Sequence, residues 1–239
     1  MISTNRHCIA FGTFKGPSGV DNWNADNWNT ICAIADVNSS GHIGAQDNAV
    51  RYRVPFDAAS FTTSGTTACP SALTVQIMNP EALQQTEGIV YAGTMNTQFH
   101  VGLRSQTWDD YFRRFVEFQA PRLMSAGKLA LRGVQISSYP LSMSQISEFT
   151  ILREAGNQDE NQPYSLTELS PQPEGWAPIL VYNPNGITLQ YLVTSEWRVR
   201  FDLSNPASGA HQYHPMHTDQ QWNRLMQQAV SMGHGVLDI

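Results

Sequence analysis

The chain has 239 residues, 14% of them charged, and a formal net charge of −6, against about 25% charged in an ordinary domain. Its 14 lysines and arginines face 20 carboxylates and form no basic stripe, which argues against a free-standing nucleic-acid binder. No apolar run approaches the ~18 residues of a membrane span, and the opening MISTNRHCIAF lacks the charged and apolar regions of a secretory signal.

Residues 7–14 (HCIAFGTF) read as a strand ended by the turn cluster Lys15-Gly16-Pro17-Ser18-Gly19. Next, Asp-Asn-Trp-Asn occurs twice in residues 21–29, a turn-forming mix. Its Trp23 and Trp28 suit either a plug at the end of the core or a contact between subunits. TICAIADV (30–37) and AVRYRVPF (49–56) read as strands around a Gly-rich break at 39–48, and residues 61–71 as a loop. ALTVQIMN (72–79) and GIVYAGTM (88–95) are two further strands. Their connection, PEALQQTE, is either a helical turn opened by Pro80 or a tight crossing. Together residues 73–95 are expected to form a strand–turn–strand unit.

TWDDYFRRFVEF (107–118) is the clearest helix, with Thr107 as its cap and Trp108, Tyr111, Phe112 and Phe115 on one face. That aromatic stripe is a core face. KLALRGVQISSY (128–139) reads as a strand bulged at Gly133, and ISEFTIL (146–152) as a weaker one. Residues 153–178, rich in prolines, carboxylates and amides, are expected to be a long exposed loop. PILVYN (178–183) leads through an Asn-Pro-Asn-Gly turn into the most telling stretch. From Ile187 to Leu203, eight of nine odd positions are apolar and seven of eight even positions are polar, the period-two pattern of a half-buried strand. At about 3.3 Å per residue such a strand would span roughly 55 Å. The apolar series is interrupted at Ser195, so a bend is expected near Ser195-Glu196. Thr218 then caps a helix over 218–232 whose apolar stripe includes Trp222, Leu225 and Met226.

This inventory implies an all-β fold: an eight-stranded antiparallel jelly-roll sandwich with two short helices and long loops, forming one domain over residues 1–239.

No nucleophile elbow, zinc-protease helix, phosphate loop or dinucleotide fingerprint is present. The cysteines Cys8, Cys32 and Cys69 are odd in number and far apart, so they read as small buried hydrophobes. His211, His214 and His217 are three in seven residues. They read as an extended polar segment, with metal ligation or a pH-sensing subunit contact as the sharper options. Arg51/Arg53 and Arg198/Arg200 each share a strand face, and carboxylates such as Glu196 and Asp202 are their expected partners, with phosphate contact as the minority reading. The expected function is therefore non-enzymatic: no catalytic, cofactor-binding or metal-binding residue is assigned.

Three segments, 73–93 (LTVQIMNPEALQQTEGIVYAG), 119–149 (QAPRLMSAGKLALRGVQISSYPLSMSQISEF) and 192–215 (LVTSEWRVRFDLSNPASGAHQYHP), resemble the shell domain of small icosahedral virus coat proteins. The nodavirus-like group, including the related capsids of bacilladnaviruses, is the nearest in flavour, over roughly residues 72–230. The resemblance implies a structural coat protein that self-assembles into an icosahedral shell around a genome, in a virion formed in the host cytoplasm or nucleus. It implies two four-stranded sheets, with residues 187–203 as the last strand. Its expected partners are copies of the chain and packaged nucleic acid, the latter held through a basic arm outside this sequence, since only one arginine falls in the first 14 residues. No cleavage site or intersubunit metal site is carried over from the family, and no receptor is assigned. The alternative is a carbohydrate-binding jelly-roll module that would use Trp23, Trp28 and Trp176 as exposed aromatics. A cupin-type metalloenzyme built on the three histidines lacks the His-x-His pair such sites use.

Overall fold

The structure, a computed structural model, describes residues 1–16, 27–45, 48–54, 65–97, 105–152, 172–202 and 205. The chain divides into a body, Met1–Asn205, and a C-terminal unit, Pro206–Ile239. The second unit, with the helix expected over 218–232, lies outside the described residues.

Within the body the strands are β1 (Ile2–Thr4), β2 (Cys8–Phe11), β3 (Phe14–Lys15), β4 (Ile31–Asp36), β5 (Ala49–Arg53), β6 (Thr67–Met78) and β7 (Ile89–Thr94). They are followed by helix α1 (Trp108–Gln119), β8 (Arg122–Ser125), helix α2 (Ala126–Leu131), β9 (Val134–Ser137), β10 (Thr150–Ile151), β11 (Gln172–Pro173), β12 (Ile179–Tyr182) and β13 (Leu189–Arg200). The fold is mainly antiparallel β, in two sheets. Sheet I runs β1-β13-β6-β10, with β9 also on β6. Sheet II runs β5-β4-β2-β12-β7-β8, and β3 and β11 form a separate small ribbon.

Eight of these strands pair in a nested way. β1 pairs with β13, β2 with β12, β6 with β9 and β7 with β8, all antiparallel. Counted among those eight alone, the first meets the last, the second the seventh, the third the sixth and the fourth the fifth. Two further pairings, β13 with β6 and β12 with β7, join these strand pairs side by side into the sheets.

Alternation decides where each side chain goes. On β13, Leu189 and Tyr191 turn inward and are fully buried, whereas Leu192, Thr194 and Glu196 turn out. Leu73, Val75 and Ile77 on β6 join them, facing Ile9, Phe11, Val90, Ile179 and Val181 of sheet II across the sandwich core. Sheet II is dry on its other face too. There Cys8, Ala10, Ile34, Leu180 and Tyr182 pack under Trp108, Phe112 and Phe115 of α1. Thr107 caps α1 as expected, accepting from Asp110 N–H at 3.1 Å, and the chain leaves the helix through Ala120 in a left-handed conformation. The bend expected at Ser195-Glu196 is a bulge: the pairing with β6 shifts between Glu196 and Trp197 and leaves Ser71 unopposed.

Several expectations are corrected. Residues 128–139 are not one strand. Ser125 accepts from Lys128 N–H and caps α2, and Gly133, at φ +61°, closes it before β9 begins. The alternation in Lys-Leu-Ala-Leu-Arg had imitated a strand, although these are strong helix formers. Residues 67–71 belong to β6, because the bulge admits Pro70 into a strand. Of the two connections expected within residues 73–95, the crossing is the one observed, since β6 and β7 lie in different sheets. The end of the expected exposed loop 153–178 is built in: β11 pairs with β3, Trp176 bridges Pro140, and Ala177 is buried. Residues 153–171 lie outside the described residues.

Candidate functional surface

Sheet I presents one solvent face, made of the outward residues of β13, β6 and β9. Gln76 bonds Gln135 and Thr74 bonds Ser137 across the strands, each at 3.4 Å. At the far end of β13, the Arg198 guanidinium donates to the Ile146 carbonyl and lies near Cys69 Sγ. Arg198 and Arg200 both stand over the Phe149 ring, at 5.6 and 3.7 Å from its centroid. Arg198 is thus held by a carbonyl and a ring face, not by the expected ladder to Glu196 and Asp202; the aromatic quadrupole supplies negative potential.

A cleft of about 410 Å³ opens where the margins of the two sheets meet. Gln76, Ile77 and Met78 of β6, the paired Val134 and Gln135 of β9, and Arg122, Arg132 and Gly133 line it. Gly133 makes this geometry possible. A Cβ there would stand 2.8 Å from the Ile77 carbonyl oxygen and 3.1 Å from Met78 Cγ, so only glycine lets the turn lie against β6. Neither arginine makes an ion pair among the described residues, and no carboxylate lines the cleft.

Several other charged groups have partners among the described residues. Buried Lys15 meets Glu148 Oε2 at 2.5 Å and lies over the Trp28 ring. The Tyr182 hydroxyl donates to Asp109 at 2.5 Å, and Arg113 pairs with that carboxylate from one turn further along α1. Burial, then the bond to Asp109, pushes the Tyr182 hydroxyl up to about 12. Asp36, itself raised by burial, accepts from Cys8 N–H at 2.8 Å. All three thiols are free and buried. Burial drives each upward, Cys32 to about 12, so they stay protonated at neutral pH and are poor nucleophiles.

The residues singled out from sequence are scattered over this frame. Trp28 is fully buried, its indole N–H donating to the Glu148 carbonyl at 2.8 Å; it plugs the core and is no surface contact. Trp176 is half-buried and reaches the Pro70 carbonyl at 3.4 Å. Trp23, His211, His214 and His217 lie outside the described residues. Among the described residues, no three His, Cys, Asp or Glu side chains converge on a possible metal position. Arg122 and Arg132 were not foreseen, because one fell in an unassigned stretch and the other in a misread strand. Only the pairing of β7 with β8 and of β6 with β9 brings them together.

No protein-family model matches this chain, and no curated protein matches it.

Proposed function

We propose that the chain is a jelly-roll coat protein, a structural subunit that self-assembles into the closed shell of a small icosahedral virus and encloses its genome. The observation that carries this reading is the nested pairing of eight strands. A ribbon in which first meets last, second meets seventh, third meets sixth and fourth meets fifth becomes, once wrapped into two sheets, a jelly roll. In that reading β4 and β5 widen sheet II beside β2, and β13 is the last strand of the roll. Its outward face combines Gln190, Leu192, Thr194, Glu196, Arg198 and Arg200, a mixed apolar and charged wall that identical neighbours could approach. Fold alone does not assign function, so the resemblance of the three segments to viral shell domains supplies the rest. The carbohydrate-binding alternative loses one of its three aromatics to the core at Trp28.

Size-exclusion chromatography with negative-stain microscopy tests the proposal, reading the ratio of absorbance at 260 and 280 nm across the leading peak. Uniform closed particles are expected, with a raised ratio where nucleic acid is enclosed. A protein that stays monomeric across salt, pH and concentration overturns it.

A further inference from the structure

We infer that the cleft between Arg122 and Arg132 is a docking site for a carboxylate side chain of a second copy of this chain. The inference rests on the self-assembly reading and names one contact within it.

Both sheets end here. β8 is the outermost strand of sheet II, and β9 lies at a margin of sheet I, paired only with β6. Each therefore presents backbone N–H and C=O groups that no strand among the described residues engages. Arg132, beside the glycine turn at Gly133, and Arg122, at the start of β8, both line the opening. Two exposed guanidiniums share one concavity with no carboxylate in its lining. Gln76 and Gln135 add amide groups, and Met78, 38% exposed, adds apolar surface. Guanidinium forks bind oxyanions in bidentate fashion, and arginine with methionine is typical of interface composition.

Charge complementarity selects the occupant. The chain carries 20 carboxylates against 14 lysines and arginines, so an approaching copy is far richer in acceptors than in competing cations. Lys15 and Arg113 already have carboxylates of their own, and Arg198 and Arg200 are engaged at Phe149. Among the described residues the cleft pair has no carboxylate of its own.

Arg122→Gln/Arg132→Gln and Arg122→Lys/Arg132→Lys test this on the full chain. Light scattering would follow association against protein concentration at low and high NaCl, and circular dichroism would check that both variants fold. The glutamine pair is expected to raise the concentration for half-association by about tenfold or more and to flatten its salt dependence. The lysine pair, which keeps charge but loses the fork, is expected to fall between. Wild-type protein that assembles beside a glutamine variant assembling equally well, with the same salt response, overturns the inference and leaves the coat reading standing. Wild-type protein that never associates removes the coat reading and this contact together. A labelled single-stranded oligonucleotide that binds wild type, fails to bind the glutamine pair and leaves association unchanged also overturns the inference, in favour of a phosphate-backbone occupant.

Discussion

The two sheets bury their strands differently. In sheet II, β2, β4 and β12 are buried at every position, because one face meets sheet I and the other is roofed by α1. In sheet I, β13 alternates over most of its length, because nothing among the described residues covers its outer face. These three sheet II strands consequently read as nearly continuous apolar runs, CIAF, ICAIAD and ILVY, while β13 of sheet I mostly alternates. The number of dry faces is therefore written into the periodicity, but the identity of the cover is not. A roof of one amphipathic helix turns an antiparallel sheet into an interior layer. It leaves the opposite sheet as the wall on which surface chemistry can vary without disturbing the core.

Removing the roof is the strongest test of this contrast. Phe112→Ala empties a fully buried ring position between α1 and sheet II, and is expected to cost about 3–5 kcal/mol in chemical denaturation of the protein. A loss under 1 kcal/mol would mean that α1 is not the seal.

Next in size is an effect of pH at Asp36, at the end of β4. Its folded-state affinity for a proton is raised by burial, so the folded chain binds more protons than the unfolded chain between the usual aspartate value of 3.8 and the raised one. Stability must then fall as pH rises through that window, with a slope of at most about 1.4 kcal/mol per pH unit. Asp36→Asn keeps an acceptor for Cys8 N–H and should flatten this segment of the stability profile, as denaturant midpoints measured across acid pH would reveal.

A smaller effect is expected within the sandwich core. The Tyr191 hydroxyl is buried without a hydrogen-bond partner, beside Phe11 at 5.1 Å between ring centroids. Tyr191→Phe should raise stability by about 1 kcal/mol, read as an upward shift in melting temperature. Least of all should follow from Leu192→Thr on the wet face of β13: within about 0.5 kcal/mol of wild type. A penalty comparable to that of Phe112→Ala would mean that this face is covered after all.

Much of the fold was legible wherever a single period ruled. The strand expected over 187–203 is β13, shortened at both ends, and its interruption at Ser195 foretold the bulge. The helix expected over 107–118 is α1 within one residue, because Thr107, the paired aspartates and the aromatic spacing all agree. Legibility failed where two patterns coincide. Ala126–Leu131 is too short for a helical period to show, and its alternating leucines mimic a strand. β8 is four residues in the shadow of Pro121. Which strands share a sheet is not a local property, so the sequence left the crossing between β6 and β7 as one of two alternatives. The cleft arginines were hidden for the same reason: their proximity follows from pairings between strands, not from their spacing in the chain.

The three sealed thiols fall in three different places. Cys8 lies beneath α1, Cys32 between the sheets, and Cys69 behind the Arg198 side chain, its Sγ donating to Ile146 at 2.7 Å. A thiol-reactive dye added to native protein would label each only as fast as its own shelter opens. The chain thus carries three separate clocks: one for the lifting of its roof, one for the parting of its sheets, and one for the loosening of the strap across its longest strand.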